Sequence, residues 1–352
     1  MIDFLIVGNG LAGNILAHTF KNNHLSFNII GNFKLSNCSN IAAGIWNPIV
    51  FKRMTKSWLA DELISFLVPF YSDIQTQISK QIITHRPIIK SFFEEQEKTL
   101  WLKKAKGELQ QFLDTTIYSQ SKNTYKYCEL ESEFGIVKNC GNLNVSTFIL
   151  ESNELFTDFF KNETFNYEDL SFEKNFISYQ NTNYKNIIFA EGYLVKNNPF
   201  FNWIPLKPAK GETITITSNE LEIQNAIINK DGFIFNTSTN TFKVGATYEW
   251  EDLSDTPTQK GKNELEQKLT HLISCNYQIT NHQAGVRPSS IDRRPIIGTH
   301  PKHKNLHIFN GLGTKGVMLA PYFANNFVLF YQQKNELINE VNVKRFYNFC
   351  KP

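Results

Sequence analysis

The sequence predicts an α/β fold made of a mostly parallel sheet with flanking helices and a second, antiparallel sheet. Three observations predict it. The length of 352 residues suits about two domains. The first thirty residues read as strand, glycine-rich turn, helix and strand. Residues 213–248 read as short β segments separated by glycine, asparagine and aspartate, which is typical of an antiparallel sheet.

The opening unit is the most informative stretch of the chain. Ile2–Val7 is almost wholly apolar, as expected of a strand buried on both faces of a parallel sheet. In the turn that follows, Gly8 allows a tight bend, Gly10 lets a diphosphate approach the backbone, and Gly13 lets the helix pack closely on the strand. The second strand, Phe27–Ile30, closes the unit. This context predicts dinucleotide binding at the helix N-terminus, the alternative being a purely structural glycine-rich turn.

Charge placement around this unit favours a diphosphate ligand. No acidic residue occurs between Asp3 and Asp61, whereas five basic residues do. The acidic residue expected about 20 positions after the glycines, which would hold ribose hydroxyls, is missing as well. Gly31 and Asn32 stand there instead, and Asn32 can accept a hydrogen bond through its amide oxygen. An alternative is that Lys34 pairs with a ribose 2′-phosphate, which would make the cofactor NADP.

The remaining elements follow from periodicity. Residues 92–113 predict a helix whose paired acids form a solvated face. Residues 176–192 predict a strand, and residues 263–274 a helix. The chain closes with a strand over 306–309, a glycine-rich turn, and a helix from Gly316 to Gln332.

Composition and charge are those of an ordinary globular protein. Hydrophobic residues make up 41% and charged residues 20% of the chain, and the mean hydropathy is −0.32, which excludes fibrous, disordered and disulfide-stapled classes. The net charge of +3 is too small to indicate a nucleic-acid partner. No apolar run reaches the roughly 18 residues that a membrane span needs. We therefore expect a soluble protein that binds neither nucleic acid nor membrane.

Cysteine and histidine usage indicates neither disulfides nor metal. The five cysteines are scattered singly, without a Cys-x-x-Cys pair, which favours a reducing compartment and hence a cytoplasmic location. Asp3 also stands where a secretory signal would carry basic residues. His300, His303 and His307 would line up on a helix, but Pro301 argues against a helix there. No Cys or acid completes a ligand set, so we expect no metal site.

Several blocks of the sequence together resemble one family. Residues 285–288, 292–298 and 310–321 resemble the closing signature of the D-amino-acid oxidase and glycine oxidase superfamily of FAD enzymes. The opening glycine motif and four shorter blocks occur in the family's order at compatible spacings. These blocks are residues 41–46, 190–192, 210–212 and 245–248.

The resemblance implies FAD as the cofactor and a glutathione-reductase-type Rossmann-like domain assembled from separated stretches of chain. That domain would comprise residues 1–75, 137–206 and 280–352, and an inserted antiparallel-sheet substrate domain would comprise residues 76–136 and 207–279. The glycine-rich loop before the last helix would stabilise charge on the reduced flavin. The expected cofactor contacts are Gly8, Gly10, Leu11, Ala12, Gly13, Asn32, Ala42, Ala43, Gly44, Ile45, Gly192, Gly311, Gly313, Thr314, Lys315, Gly316 and Val317.

Arginine usage points to a carboxylate ligand. Only six of the 36 basic residues are arginine, and three of these six lie within residues 287–294. The planar guanidinium meets a carboxylate with two parallel hydrogen bonds, which ammonium cannot do. The resemblance makes Arg287 the residue that binds the substrate carboxylate. The alternative, which applies to Arg293 and Arg294 as well, is an internal ion pair with Asp292 or another acid.

The resemblance also implies an activity. It is the oxidation of an amine or amino acid by hydride transfer from the α-carbon to flavin N5, giving an imine that water hydrolyses. We expect Trp46, Phe233 and Tyr248 to form aromatic walls of the site. The sequence departs from some family members at Thr314, where they carry a basic residue, and at Phe233, where they carry a tyrosine. An NADP-dependent dehydrogenase and a non-catalytic flavoprotein subunit of a larger complex remain as alternatives.

Overall fold

A computed structural model describes residues 1–32, 38–119 and 125–350 of the chain. The helices are α1 (Leu11–Asn22), α2 (Cys38–Ile41), α3 (Ala60–Ile78), α4 (Glu95–Ala105), α5 (Val145–Leu155), α6 (Gln259–Leu272) and α7 (Gly316–Tyr331). The strands are β1 (Ile2–Val7), β2 (Phe27–Ile30), β3 (Ile45–Trp46), β4 (Ile49–Val50), β5 (Thr55–Lys56), β6 (Ile83–His85), β7 (Ile88–Ser91), β8 (Tyr118–Ser119), β9 (Glu133–Val137), β10 (Gly141–Leu143), β11 (Phe160–Lys161), β12 (Leu170–Phe172), β13 (Ile177–Tyr179), β14 (Thr182–Phe189), β15 (Ala209–Thr217), β16 (Ile227–Asn229), β17 (Phe233–Ser238), β18 (Thr241–Gly245), β19 (Gln278–Arg287), β20 (Ile296–Thr299) and β21 (Leu306–Asn310).

The first large sheet is the mostly parallel one that the sequence predicts. Its parallel strands lie in the order β11, β2, β1, β14 and β21. Strand β1 is central, and its Phe4, Leu5 and Ile6 side chains are fully buried because helices or loops cover both faces of the sheet. The chain leaves β1 on one side to form β2 and returns on the other side as β14. This reversal beside β1 is where open α/β sheets bind ligands, at the carboxyl ends of their strands.

The second large sheet contains the strands predicted between residues 213 and 248. Its order is β19, β15, β18, β17, β16, β7, β9 and β8. The expectation of a purely antiparallel sheet is wrong at one pair, because β16 runs parallel to β7, with Ile228 opposite Ile89. The two strands are far apart in sequence, so no hairpin constrains their direction. Helix α6 covers one face of this sheet and buries Leu265, Leu269 and Leu272.

Three expected elements differ in extent from the structure. The strand expected over 176–192 is the hairpin of β13 and β14, turned at Gln180 and Asn181, which both have positive φ. The helix expected over 92–113 is shorter, because α4 ends at Ala105 and turns follow it. The helix expected over 263–274 begins earlier, at Gln259. The Thr258 hydroxyl caps it by accepting a hydrogen bond from the Gly261 amide, with 3.0 Å between the nitrogen and the oxygen.

The two sheets draw their strands from different parts of the chain. The first takes strands from residues 2–30, 160–189 and 296–310, and the second from residues 88–137 and 209–287. Strand β19 crosses the predicted domain limit at residue 280, and the domain limits stay a prediction. Among the described helices, we find no stretch with the length and apolarity that crossing a bilayer requires.

Candidate functional site

A cavity of about 870 Å³ lies between the carboxyl ends of the first sheet's parallel strands and one face of the second sheet. We call the part lined by residues 8–12, 31–32, 163–165, 167 and 190–194 the turn end. The part lined by side chains of the second sheet and the segments next to it is the sheet end. Its lining includes Thr213, Asn229, Phe233, Tyr248 and Arg287.

The glycine turn is held so tightly that side chains are excluded at two positions. Gly8 has a φ of +116°, and a Cβ there would lie 2.4 Å from the Ala190 carbonyl oxygen. A Cβ on Gly13 would lie 1.8 Å from the Gly8 carbonyl oxygen. Both obstacles are backbone atoms, which cannot rotate away. The roles predicted for these two glycines, a tight bend and close packing of α1 on β1, match these contacts.

The N-terminus of α1 faces the cavity through Gly10, Leu11 and Ala12. The Leu11 amide donates to the Ser39 hydroxyl at 3.1 Å, and the Asn14 side chain donates to the Asn9 carbonyl at 2.9 Å. The first turn of α1 carries no acidic residue, and the residue before the helix is a glycine without a capping side chain. The positive end of the helix dipole is therefore presented to the cavity without an anionic neighbour on the helix.

The end of β2 brings an unexpected acid into the cavity. Asn32 lines the cavity as predicted, and its side-chain amide donates to the Thr164 hydroxyl at 2.9 Å. Glu163 lines the same wall from the segment after β11. Its Oε1 atom is buried and has no hydrogen-bond partner among the described residues. Lys34, the residue of the NADP alternative, lies outside the described residues.

A second acid, Glu191, lines the turn end directly after β14. It accepts hydrogen bonds from the Tyr167 hydroxyl and from the Asn198 side chain, the latter at 2.7 Å. Burial raises the pKa of Glu191 to about 7, although both hydrogen bonds favour the charged form. Glu191 therefore changes charge near neutral pH.

The middle of the cavity is formed by two loops that lie far apart in the sequence. Gly44 has a φ of +70°, and a Cβ there would lie 1.9 Å from the Leu143 carbonyl oxygen, so only glycine fits. All but two of the other predicted contacts also line the cavity or flank it in the glycine turn. The lining residues in these two loops are Ala42, Ala43, Gly44, Ile45, Gly313, Thr314, Gly316 and Val317.

Gly311 and Lys315 do not line the cavity. Gly311 is needed for another reason, because its φ is +73° and a Cβ would lie 3.0 Å from the Ile296 backbone nitrogen. The Lys315 ammonium donates to the Ser57 hydroxyl, and burial lowers the pKa of Lys315 to about 8, with a smaller contribution from Arg294. Direct contact of these two residues with a bound cofactor is therefore not supported.

Arg287 lies in the sheet end with its charge uncompensated. Its guanidinium donates to the Lys210 carbonyl at 3.3 Å and to the Thr247 carbonyl at 3.3 Å. No acid of the described residues forms an ion pair with it, and Asp292 pairs with Arg345 instead at 2.9 Å. Burial lowers the pKa of Arg287. The expected alternative of an Arg287–Asp292 ion pair is wrong, since Asp292 lies beside a different arginine.

The aromatic walls are only partly as expected. Phe233 and Tyr248 line the cavity, and the Tyr248 ring lies 4.5 Å from the Arg287 guanidinium carbon. Trp46 does not line it, and the expectation for this residue is wrong. Only 1% of Trp46 is exposed, and its ring packs on Gly141 and His85 in the hydrophobic core. Trp46 follows the lining loop directly, but alternation along β3 points its side chain inward.

The other two arginines of the cluster are not ion-paired within the described residues. Arg294 lies over the Trp58 ring, with 4.2 Å between the guanidinium carbon and the ring centroid. Arg293 is exposed, with a φ of +59°. The alternative of an internal ion pair is therefore wrong for both. Their role is structural or at the surface, since neither lines the cavity.

The sequence analysis does not predict one segment that lines the sheet end. Residues 253–255 line the cavity after Tyr248, and a buried lysine holds this segment in place. The Lys210 ammonium donates to Asp252 at 2.6 Å, to the Ser254 hydroxyl at 3.1 Å and to the Thr256 carbonyl at 2.6 Å. The only signal in the sequence is the lysine itself, because a lysine is almost never fully buried unless it has partners.

Comparison with known proteins finds a family that part of this chain resembles. The model of the DAO family, described as FAD dependent oxidoreductase, matches residues 172–327. Glycine oxidase from Bacillus subtilis (strain 168) is 26% identical over 141 residues. That alignment covers 38% of this chain and 38% of the curated enzyme. The family model covers less than half of this chain, and over those residues the chain is similar to FAD dependent oxidoreductases.

Solved structures of two oxidases share the fold over nearly the whole chain. Glycine oxidase from Bacillus cereus ATCC 14579 superposes with a TM-score of 0.78 at 19% identity, covering 96% of both chains. Iminodiacetate oxidase from Chelativorans sp. BNC1 superposes with a TM-score of 0.80 at 15% identity, covering 97% of this chain and 98% of that one. The predicted α/β fold with a Rossmann-like domain and a sheet domain is thereby confirmed.

The residues of the cavity fit FAD. The glycine turn and the α1 N-terminus offer backbone groups and a positive dipole to a diphosphate. Glu163 offers a buried carboxylate oxygen that needs a hydrogen-bond donor. The mostly backbone-lined middle of the cavity leaves space for a flat ring system beside Gly44, Gly313 and Gly316. FAD is the cofactor of this family, and neither the NADP-dependent nor the non-catalytic alternative is favoured.

Proposed function

We propose that this chain is an FAD-dependent oxidoreductase that oxidises a small amine or amino acid carrying a carboxylate. One observation supports the carboxylate above all. The Arg287 guanidinium is partly buried in the sheet end, is hydrogen-bonded only to backbone carbonyls, and has no acidic partner among the described residues. A cation that loses part of its hydration without gaining a counter-ion is destabilised, and a substrate carboxylate would compensate that loss.

The residues of the chain bind and orient the substrate. Arg287 fixes the carboxylate, and the Tyr248 ring packs over the guanidinium and helps to hold it in place. Phe233 supplies an apolar wall beside them. Bound FAD supplies the acceptor for the hydride of the substrate's α-carbon, so that the amine becomes an imine. The reaction needs no side-chain base, because the lone pair of the neutral amine assists the departure of the hydride.

The location and the partners complete the proposal. The partner we infer is the small-molecule substrate, and the singly scattered cysteines favour a cytoplasmic location. The residues predicted to contact FAD stay part of the proposal wherever they line the cavity or belong to the glycine turn.

Reduction of the bound flavin without oxygen tests the proposal. We expect the purified protein to show flavin absorbance, and a panel of amino acids and secondary amines to bleach it. Amines of the same shape without the carboxylate should bleach it far more slowly. Protein without flavin, or flavin that no compound of the panel reduces, would contradict the proposal.

The Arg287→Ala variant tests the role of the guanidinium. We expect kcat/KM for the carboxylate substrate to fall roughly 30-fold to 1000-fold. This corresponds to a loss of about 2–4 kcal/mol of binding free energy. Flavin absorbance should stay, because Arg287 lies at the sheet end. The control is Arg293→Ala, which removes an exposed arginine of the same cluster. Equal kinetics for the two variants would remove Arg287 from the substrate site.

A further inference from the structure

We propose that Glu163 holds the ribose hydroxyls of the adenosine half of the cofactor, in place of the acid missing from the end of β2. This inference rests on the proposed binding of FAD. The glycine motif is normally followed by a carboxylate at the end of the second strand, and this chain has Gly31 and Asn32 there. The structure brings a carboxylate to the same wall from a different strand.

The pairing of two strands brings Glu163 near the position of the missing acid. Strands β2 and β11 are parallel neighbours, with Ile29 opposite Phe160 and Ile30 opposite Lys161. Both strands end at that pair, and the segments that follow them bring Asn32 and Glu163 to the cavity lining. The backbones stay joined there, because the Gly31 amide donates to the Lys161 carbonyl at 3.1 Å. Neighbouring strands are about 4.8 Å apart, a distance that a glutamate side chain spans.

One oxygen of the Glu163 carboxylate lacks a hydrogen-bond donor within the described part of the chain. Glu163 lines the cavity, and its Oε1 atom is buried without a hydrogen-bond partner among the described residues. Buried acceptors are nearly always hydrogen-bonded, because leaving one unpaired is costly. Ribose hydroxyls are donors of the right kind, and a charged acceptor makes the hydrogen bond stronger.

The side chain of Asn32 forms a hydrogen bond to the segment that carries Glu163. Its side-chain amide donates to the Thr164 hydroxyl at 2.9 Å, which ties the end of β2 to the segment that carries Glu163. The amide thus positions the segment, and the carboxylate binds the ligand. The same negative charge disfavours a phosphate on the ribose 2′ position, which argues against a phosphorylated dinucleotide at this site.

Binding of adenine nucleotides to the flavin-free protein tests the proposal. We expect the wild-type protein to bind ADP about ten times or more tightly than 2′-deoxy-ADP or 3′-deoxy-ADP, measured by displacement of fluorescent FAD. In Glu163→Gln this preference should shrink to about threefold or less, since a neutral acceptor is weaker. The matched control Glu168→Gln alters an exposed acid nearby that does not line the cavity, and should keep the full preference.

A rescue variant separates ribose binding from a general effect of charge. Adding Asn32→Asp to Glu163→Gln returns a carboxylate to the end of β2, and we expect the preference for ADP to return with it. The preference for ADP over IDP should be the same in every variant, because the adenine amino group is not the proposed partner.

The outcomes distinguish this inference from the proposed function. Wild-type protein that binds neither FAD nor ADP contradicts the proposed function itself. Wild-type protein that binds FAD but does not distinguish ADP from its deoxy analogues overturns the role of Glu163 alone, and needs no variant. Three results with the Glu163→Gln variant would overturn it as well. The variant could keep the preference for ADP over the deoxy analogues, or lose affinity equally for ADP and those analogues. It could also lose the preference for ADP over IDP.

Discussion

The two ends of the cavity are built in different ways. The turn end contains a backbone motif, the glycine turn, in which Gly8 and Gly13 are packed so closely that neither position has space for a Cβ. The sheet end is formed by side chains, among them Arg287 at the end of β19, Phe233 at the start of β17 and Tyr248 after β18. Six consecutive residues make the glycine turn of the first end, whereas the second end depends on strands that only the folded sheet brings together.

This difference teaches where affinity and specificity reside. A backbone site offers the same amides whatever the side chains are, so it suits the invariant diphosphate of a cofactor. A side-chain site changes with each substitution, so it suits a substrate that differs from one relative to another. Changes at the turn end should therefore affect cofactor binding, and changes at the sheet end should affect substrate kinetics with the cofactor still bound.

Gly13→Ala gives the largest expected effect. The added methyl group would lie 1.8 Å from the Gly8 carbonyl oxygen, so α1 must move away from β1 and the turn must open. We expect at least a 100-fold loss of FAD affinity, or protein that no longer folds, measured by flavin fluorescence and circular dichroism. The control is Gly107→Ala, where the nearest atom to the new methyl group is 3.4 Å away. Normal FAD binding by Gly13→Ala would contradict the backbone account of the turn end.

Glu191→Gln tests whether pH acts through the turn end. The pKa of Glu191 is raised to about 7, so its ionisation opposes folding. This contribution to the free energy of unfolding is fully present below about pH 4.5, falls as pH rises, and is lost above about pH 7. Its size is roughly 2–4 kcal/mol. We expect the melting temperature of the flavin-free variant to depend less on pH between 5 and 8 than that of the wild type. The same dependence in both proteins would show that another group is responsible, and Glu168→Gln provides the exposed control.

The contrast between the two ends also explains how much the sequence could predict. The βαβ unit and its glycines were predictable, because a local motif fixes their conformation, and β1 and β2 have the expected bounds. Arg287 was predictable from a resemblance and from unusual arginine usage. The parallel pairing of β16 with β7 was not, because nothing local sets the direction of strands so distant in sequence.

Residues that reach the cavity from irregular segments were also beyond prediction. Glu163 follows β11, a two-residue strand too short to give a periodic signal, and only its pairing with β2 brings the acid to the cavity. Trp46 shows the reverse error. It adjoins the lining loop in sequence, but β3 turns its ring into the core, where 1% of it is exposed. Nearness in sequence to a motif does not fix which way a side chain points.

Tyr248→Leu gives the smallest expected effect, and it sharpens the account of the sheet end. The Tyr248 ring lies over the Arg287 guanidinium but is 52% exposed, so the cation–π contact is worth about 0.5–1 kcal/mol. We expect KM for a carboxylate substrate to rise about twofold to fivefold, with FAD affinity unchanged. Trp250→Leu is the matched control, because Trp250 stacks on Tyr248, is 57% exposed and does not line the cavity. If both variants shift KM equally, the aromatic pair acts by covering the cavity, and the contact with Arg287 has no separate role.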